Sequence, residues 1–368
     1  MRVLVSGGGT GGHLYPGLAI ARALVALDRQ VRPHFIGARR GIEREVLPTT
    51  EFPYTLLDLH PLYRRTPWQN WRTLRGAVTG WRVMRELTAT DVPAAVIGTG
   101  GYAAGLALAF ARSQHWLTVL HECDSAPGLT TRTFAGKASL VSLGFPEAAA
   151  ALRVPATTGV ESFGNPITPP VAISVAERAR RRAAWGFAPT VEQVVLVVGG
   201  SQGARAINEA MAAWMQAGIA ARIGVIWATG RSSWSQFEQR TAANVVLRPY
   251  LDPIMDAYAV ADLAIARAGA MTIAELCAWG LPSILIPLPT AAADHQSRNA
   301  ETLARAGAAV HLPQSGLDAG TLAATVGALL DDRDRLGQFA TAALARGRPD
   351  AARQIAARIL SLIAHRTG

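Results

Sequence analysis

The chain has 368 residues, of which 50% are hydrophobic and 17% charged, so it can build two domains with sizeable cores and is neither disordered nor fibrous. Its net charge of +10 is almost all arginine, because Lys137 is the only lysine, and it would suit an anionic membrane, a phosphorylated substrate or nucleic acid. The two cysteines, Cys123 and Cys277, are too few for a disulfide framework or a metal cage, which indicates reduced thiols inside a cell.

Short apolar runs alternate with longer amphipathic runs, which is typical of βαβ units with a parallel sheet. The N-terminal run leads straight into glycines, unlike a signal peptide. The uncharged run 92–111 contains Pro93 and several glycines, so it predicts a strand, a glycine loop and a helix instead of a membrane span. In the first half, the predicted strands are residues 2–6, 31–36, 94–97, 117–121 and 138–142.

The pattern restarts after a loop-like stretch near residue 165. The predicted strands of the second half are residues 194–198, 224–228, 244–248, 263–266 and 283–286. We therefore predict an α/β protein with two domains, residues 1–163 and 164–344. A C-terminal helix of about residues 345–368 is expected to pack back on the first domain.

Each half opens with a strand, a glycine-rich turn and a helix. Residues 7–12 read Gly-Gly-Gly-Thr-Gly-Gly, and residues 199–203 read Gly-Gly-Ser-Gln-Gly. Such a turn brings backbone N–H groups close to an anion at a helix N-terminus. One turn of this kind can be a tight connection without a ligand. Two of them favour a phosphate-bearing ligand in the cleft between the domains.

The first turn also matches the G-x-G-x-x-G pattern of dinucleotide-binding proteins. Those proteins place an acid after the second strand to hold the ribose, whereas that strand here ends in Gly-Ala-Arg39-Arg40. Either arginine could take a 2′-phosphate, so an NADP-binding module remains as a different class of function. The only D-x-D, residues 332–334, lies in a polar helical segment and predicts a solvated surface. We expect neither a metal nor a cofactor.

Several segments follow the order and spacing of the MurG family of glycosyltransferases, namely residues 8–13, 100–102, 121–122, 164–166, 199–205 and 267–275. The resemblance extends over essentially the whole chain. It implies a GT-B fold, in which two Rossmann-like domains face each other across a cleft. It also implies an inverting, metal-independent transfer of N-acetylglucosamine from UDP-GlcNAc to the C4 hydroxyl of lipid I, the undecaprenyl-diphospho-N-acetylmuramyl-pentapeptide, giving lipid II.

That activity belongs to peptidoglycan synthesis, and the lipid-linked acceptor implies a peripheral protein at the cytoplasmic face of the cell membrane. Two alternatives share the architecture, a UDP-sugar epimerase and a transferase to another lipid acceptor. UDP-GlcNAc binding and transfer that requires the lipid acceptor would distinguish them.

The resemblance places the donor in the second half of the chain. Ser201 would meet the diphosphate, and the backbone of Leu251 would pair with uracil. Glu275 would accept hydrogen bonds from both ribose hydroxyls, as a carboxylate can, although Thr272-x-x-Glu275 also matches a capping box. Gln296 would contact the sugar, its alternative being a polar residue at a helix start. The helix aimed at the α-phosphate would begin with Ala270, Met271, Thr272, Ile273, Ala274 and Glu275.

The resemblance places the acceptor in the first half, where Thr10, Gly11 and Gly12 would lie near the transferred sugar and the acceptor diphosphate. His13 is the candidate general base, because imidazole titrates near neutrality. A histidine after a glycine turn is as often a capping or packing residue, and Glu122 is a second candidate base.

The chain departs from the family pattern at two positions. Asp124 stands where asparagine is common, and Thr168 stands close to the place of a usual arginine. An ionised Asp124 can accept but cannot donate a hydrogen bond. These departures concern the affinity and the details of donor binding.

Residues 60–85 contain six arginines and three tryptophans without a carboxylate. Their apolar residues recur at three- and four-residue spacing, with arginines on a neighbouring stripe. An aromatic face rimmed by arginines favours an anionic membrane surface. An ordinary core face and, less favoured, nucleic acid are the alternatives. The predicted membrane contacts are Trp68, Trp71, Arg72, Leu74, Arg75, Val78, Trp81 and Arg82.

Overall fold

A computed structural model describes residues 1–61, 66, 68 and 70–367. The chain divides into two compact units, the first made of Met1–Thr168 with Pro349–Gly368 and the second of Pro169–Arg348. The first unit extends past residue 163 because the buried Asn165 is bonded into it, through His121 and the carbonyl of Cys123. Arg64 and Arg65 of the arginine-rich stretch lie outside the described residues.

The first unit is built on a seven-stranded parallel sheet with the order β3-β2-β1-β4-β5-β6-β7. Its strands are β1 (Arg2–Ser6), β2 (Arg32–Ala38), β3 (Tyr54–Leu57), β4 (Ala95–Gly98), β5 (Thr118–Glu122), β6 (Leu140–Leu143) and β7 (Gly159–Ser162). Its first helices are α1 (Gly11–Leu27), α2 (Glu43–Val46), α3 (Asn70–Leu87), α4 (Gly101–Ser113) and α5 (Leu129–Phe134).

The second unit has a six-stranded parallel sheet with the order β10-β9-β8-β11-β12-β13. Its strands are β8 (Gln193–Val198), β9 (Ile223–Ala228), β10 (Val245–Arg248), β11 (Leu263–Ala266), β12 (Ser283–Leu285) and β13 (Ala309–His311). Its helices are α6 (Val175–Ala184), α7 (Arg205–Ala217), α8 (Trp234–Phe237), α9 (Met255–Tyr258), α10 (Ala270–Ala278), α11 (His295–Arg305), α12 (Ala319–Leu330) and α13 (Arg333–Arg346).

The last helix, α14 (Ala351–Thr367), belongs to the first unit. Its buried Ile355 and Ile359 share a core cluster with Val3 of β1 and with Leu14 and Leu18 of α1. The opposite face of the sheet is covered by α4, where Ala103 and Ala107 pack with Leu4. Helices on both faces bury the central strands away from solvent, which explains their continuous apolar runs.

Both sheets have the strand order of a Rossmann fold, so the predicted two-domain α/β class is confirmed. In this order the chain reverses direction across the sheet between β1 and β4, and again between β8 and β11. Ligands of such sheets bind beyond the carboxyl ends of the strands at that reversal point. The two glycine turns follow β1 and β8 and therefore stand at these positions.

Every predicted strand is present, with ends shifted by at most two residues. The strands that the sequence missed are β3, β7 and β13, and each lies at the edge of its sheet. Edge strands pair on one side only and are partly exposed, so their apolar runs are short and interrupted. The run 92–111 forms β4 and much of α4, as predicted. Within the described residues, no helix is long and apolar enough to span a bilayer.

Candidate active site

The glycine turn after β8 lines a cavity of about 580 Å³ in the second unit, here named the second-unit cavity. Gly200 and Gly203 have φ angles of 89° and 84°. A Cβ on Gly203 would lie 2.1 Å from the carbonyl oxygen of Thr229, so only glycine lets this turn approach the loop after β9. The cavity is lined by Val198, Gly199, Gly200, Gly203, Ala204, Arg205, Ala206, Glu209, Arg267, Gly269, Thr272, Leu288, Gln296 and Gln314.

Arg267, directly after β11, is held in this cavity by neutral groups. Its guanidinium donates to the carbonyl oxygens of Ile286 and Pro287 at 3.0 and 2.9 Å and to the amide oxygen of Gln314 at 2.8 Å. Burial lowers the pKa of Arg267, but the guanidinium stays charged. A fixed cation beside a glycine turn is suited to a phosphate. No role was predicted for Arg267 from the sequence, although it is the first residue of the family segment 267–275.

Helix α10 begins at Ala270, and Gly269 is its N-cap. Thr272 is therefore inside the first turn, and the capping-box interpretation of Thr272 and Glu275 is wrong. Instead, the Glu275 carboxylate accepts a hydrogen bond from the Tyr258 hydroxyl at 2.8 Å. Burial raises the pKa of Glu275, and the bond from Tyr258 opposes that rise.

Thr272 and Gln296 line the second-unit cavity together with the glycine turn. The Gln296 side chain accepts the backbone N–H of Leu288 at 3.0 Å, which turns it towards the loop after β12. Ala270, Met271, Ile273 and Ala274 form the first turns of α10 with Thr272.

The other predicted donor residues, Glu275 and its neighbours in α10 included, are not among those that line this cavity. Ser201 is exposed at the tip of the glycine turn, and Leu251 is buried after β10. The residue before Leu251, Tyr250, carries the Arg231 guanidinium 4.6 Å from its ring centre. The predicted uracil position is thus next to an arginine-covered ring, outside the second-unit cavity.

In the first unit, His13 lies in the first turn of α1 against the turn after β4. Its Nδ1 is 3.1 Å from the Thr10 hydroxyl, and its carbonyl oxygen accepts a hydrogen bond from Thr99 at 2.6 Å. A Cβ on Gly100 would lie 2.6 Å from the imidazole, so the second family segment, Gly100-Gly101, makes room for the His13 ring. Both glycines have a positive φ, 99° and 74°.

Thr10 is the N-cap of α1, and its side chain makes no capping hydrogen bond. Thr10 and Gly12 are exposed, and Gly11 is half-buried. The first N–H groups of a helix have no partner within the helix and attract negative charge. Thr10, Gly11 and Gly12 therefore present an accessible helix start beside the His13 imidazole.

A carboxylate that the sequence analysis did not single out lies under this turn. Glu43, the first residue of α2, is fully buried. It accepts the backbone N–H groups of Gly9 and Ala38, each at 3.0 Å. An acid does follow the second strand, but it is enclosed by protein and cannot offer itself to a dinucleotide ribose.

Glu122, the second candidate base, is buried at the end of β5. Its carboxylate accepts the N–H groups of Asp124 and Gly128 at 3.1 and 2.9 Å and the Thr131 hydroxyl at 2.5 Å. Burial raises the pKa of Glu122, and these hydrogen bonds act against the rise. These hydrogen bonds show that Glu122 fixes the conformation of the loop that carries Asp124.

His121 joins two of the family segments. Its Nδ1 lies 3.0 Å from the Ser142 hydroxyl, and its Nε2 lies 3.1 Å from the amide oxygen of Asn165. An amide oxygen only accepts, so Nε2 carries the proton. Burial lowers the pKa of His121 to about 4, so the ring is neutral. His121-Glu122 and Gly164-Asn165-Pro166 therefore belong to one structural framework.

The predicted membrane face lies on α3. Trp71, Leu74 and Val78 are 56%, 68% and 49% exposed, and Trp68 just before the helix is also exposed. Trp81 differs, because its ring stacks edge-on against Phe110 at 4.9 Å and only part of it reaches the surface. The outward apolar surface is therefore Trp68, Trp71, Leu74 and Val78, here named the α3 surface, and Trp81 is partly a core residue.

A second cavity, of about 650 Å³, adjoins this surface through Trp71 and is here named the basic cavity. Four arginines from two parts of the first unit line it, Arg39, Arg40, Arg72 and Arg75. The Arg72 guanidinium lies 5.6 Å from the Trp71 ring centre. Arg40 is 3.5 Å from the Asp58 carboxylate.

Residues 3–142 match the glycosyltransferase family 28 N-terminal domain, and residues 194–355 match the glycosyltransferase family 28 C-terminal domain. The UDP-N-acetylglucosamine–N-acetylmuramyl-(pentapeptide) pyrophosphoryl-undecaprenol N-acetylglucosamine transferase of Moorella thermoacetica is 39% identical over 99% of both chains. The protein of the same name from Salinibacter ruber is 37% identical, over 98% of this chain and 96% of its own. The crystal structure of Acinetobacter baumannii MurG superposes with a TM-score of 0.75 and 25% identity, covering 98% of this chain and 99% of that one.

Proposed function

The chain belongs to the MurG family of N-acetylglucosamine transferases with the GT-B fold, and we propose that it transfers N-acetylglucosamine from UDP-GlcNAc to lipid I. The C4 hydroxyl oxygen of the muramyl sugar forms a bond to C1 of the donor. The bond from C1 to the UDP oxygen breaks, so the configuration at C1 inverts. The products are lipid II and UDP, and the hydroxyl proton passes to a base of the protein.

The observation that carries the proposal is the Arg267 guanidinium, fixed beside the glycine turn and the start of α10. The turn containing Ser201, the Arg267 guanidinium and the helix start at Ala270 would hold the leaving diphosphate without a metal. Glu275 would accept the ribose hydroxyls, and Gln296 would contact the sugar. The backbone of Leu251 would bind uracil beside Tyr250.

For the acceptor, the exposed start of α1 at Thr10, Gly11 and Gly12 would approach the lipid diphosphate. His13 would take the proton of the attacking hydroxyl, because its imidazole is at this helix start and is less buried than Glu122. Asp124, on the loop held by Glu122, would accept a hydrogen bond from a sugar hydroxyl.

The decisive experiment measures UDP release and radiolabelled product with UDP-GlcNAc and a soluble lipid I analogue. We expect UDP release only when the analogue is present, with one labelled disaccharide per UDP. Formation of an epimeric UDP-sugar, or of UDP and a free epimeric sugar, without any need for acceptor would establish the epimerase instead. Calorimetric binding of NADPH in place of UDP would support the dinucleotide alternative.

We also propose that the protein binds peripherally to the cytoplasmic face of the cell membrane. The α3 surface supplies apolar contact, and the basic cavity supplies four arginines beside it. An arginine near an anionic bilayer contributes about 1 kcal/mol. Phospholipid phosphates at the basic cavity and acyl chains at the α3 surface would then be held by adjacent parts of one unit.

A double variant, Trp71→Ser with Leu74→Ser, is expected to lower the binding to phosphatidylglycerol vesicles about tenfold or more, because both side chains are exposed apolar groups. Co-sedimentation with the vesicles measures this, and UDP affinity should not change. Val171→Ser is the matched control, since Val171 is exposed on the second unit. Equal vesicle binding by the wild type and the double variant would refute the α3 surface as the membrane contact.

A further inference from the structure

The carboxylate of Glu43 occupies a site that only glycines leave open. A Cβ on Gly8 would lie 1.9 Å from one carboxylate oxygen of Glu43, and a Cβ on Gly41 would lie 1.9 Å from the other. A Cβ on Gly37 would lie 2.9 Å from the Glu43 Cβ. Three glycines, one from the first glycine turn and two from the end of β2 and the stretch that leads to α2, therefore enclose one buried side chain, two of them against its carboxylate.

This carboxylate engages the first glycine turn from within. Gly9 has a φ of 87° and donates its backbone N–H to Glu43 at 3.0 Å. An N–H that already binds an internal acid is not available to an external anion, and the negative charge would repel one. The turn after β8 differs, because it lines an open cavity that contains the Arg267 guanidinium.

The opposite side of the turn is packed against the start of α4. A Cβ on Gly9 would lie 2.8 Å from the Tyr102 ring, and a Cβ on Gly101 would lie 2.1 Å from the Gly8 carbonyl oxygen. The His13 imidazole lies on the same Gly100-Gly101 segment. A displacement of the turn would therefore move both the start of α1 and the surface that supports His13.

We propose that Glu43 is a positioning residue for the transfer reaction, one that holds the first glycine turn and through it the His13 imidazole. The inference rests on the proposed function, and it assigns a different role to the first glycine turn. Gly7–Gly9 is a carboxylate-bound support, while any contact with the acceptor diphosphate falls to the helix start that follows it.

The test compares Glu43→Gln with the wild type and with Glu45→Gln. Glu45 lies two residues further along α2 and is exposed, so it is the matched control. A glutamine offers one acceptor oxygen, but its NH2 group would face the second backbone N–H. We expect kcat to fall about tenfold or more, because small misplacements of catalytic groups have large effects. The KM for UDP-GlcNAc should stay within about twofold, because the donor groups belong to the second unit.

A double-variant cycle with Gly8→Ala tests the contact itself. In the wild-type background the added methyl displaces the Glu43 carboxylate, whereas in Glu43→Ala there is space for it. The effects of the two substitutions on kcat should therefore be strongly non-additive, the double variant being no slower than Gly8→Ala alone. Additive losses would show that Gly8 and Glu43 act separately, and they would overturn the proposal.

Amide hydrogen exchange gives a measurement that is independent of catalysis. Residues 7–13 should exchange about tenfold faster or more in Glu43→Gln than in the wild type, with no change in peptides of the second unit. Wild-type protein without transferase activity would contradict the proposed function, and exchange would still test the role of Glu43. Unchanged exchange in residues 7–13, or unchanged kcat in an active enzyme, would overturn the positioning role.

Discussion

His13→Ala is expected to lower kcat about 100- to 10,000-fold, the range that a general base contributes. The muramyl hydroxyl is a weak nucleophile, and its proton has to leave as the new bond forms. Of the two candidate bases, His13 is the less buried, whereas the Glu122 carboxylate binds backbone N–H groups of the loop that carries Asp124. The measurement is UDP release with saturating UDP-GlcNAc and lipid I analogue.

The same variant should bind UDP as the wild type does, because His13 and the second-unit cavity belong to different units. His365→Ala is a suitable control, since that histidine is exposed near the end of α14. A His13→Ala enzyme with a kcat within a few fold of the wild type would remove His13 as the base. A parallel loss of UDP affinity would point to a general structural defect.

Glu275→Gln is expected to raise the Kd for UDP about 10- to 100-fold. A hydrogen bond to a charged group contributes about 1.5–3 kcal/mol, and each 1.4 kcal/mol is a factor of ten. The glutamine can still accept the Tyr258 hydroxyl, so the fold should be retained. Calorimetry with UDP and with uracil measures the effect, and the affinity for uracil should be the same in both proteins if Glu275 binds the ribose.

The affinity of the wild type for UDP should also fall as the pH is lowered. Burial raises the pKa of Glu275, so its carboxylate becomes protonated at a higher pH than an exposed glutamate. The protonated form accepts hydrogen bonds more weakly and can no longer take both hydroxyls as an anion. The loss of affinity therefore begins above the ordinary titration range of glutamate, and Glu275→Gln should not show it.

Tyr258→Phe tests the sign of this effect. The Tyr258 hydroxyl donates to the carboxylate and lowers the pKa of Glu275 against the effect of burial. Removing that bond should raise the pKa further, so that the pH profile of UDP affinity shifts to higher pH. A shift to lower pH would contradict the assignment of the pH dependence to Glu275.

Much of this architecture follows from patterns within short stretches of the chain. Central strands such as β1 and β8 are buried on both faces, so their sequences are continuous apolar runs that can be recognised from the sequence alone. The glycine turns can also be recognised from a short stretch of sequence, because a positive φ at Gly9 or Gly203 favours glycine. The order and spacing of the family segments predicted the remaining residues of the candidate site.

Other features depend on which distant residues become neighbours, and no local pattern contains that information. The face of α3 was predicted as a single stripe, but Phe110 from α4 takes part of Trp81 into the core. The edge strands β3, β7 and β13 form by pairing with β2, β6 and β12, respectively. The Arg267 guanidinium is held in place because it donates to the carbonyl oxygens of Ile286 and Pro287, which follow β12.

Glu43 and Glu45 show the difference most directly. They are the same residue type, two positions apart on the short helix α2, and composition and charge do not distinguish them. Glu45 is exposed, whereas Glu43 is enclosed by Gly8, Gly37 and Gly41 and bonded to two backbone N–H groups. The sequence by itself determined that a glycine turn follows β1 and leads into a helix. Only the tertiary structure decided that a carboxylate lies under the turn, because burial and hydrogen bonding are properties of the assembled neighbours.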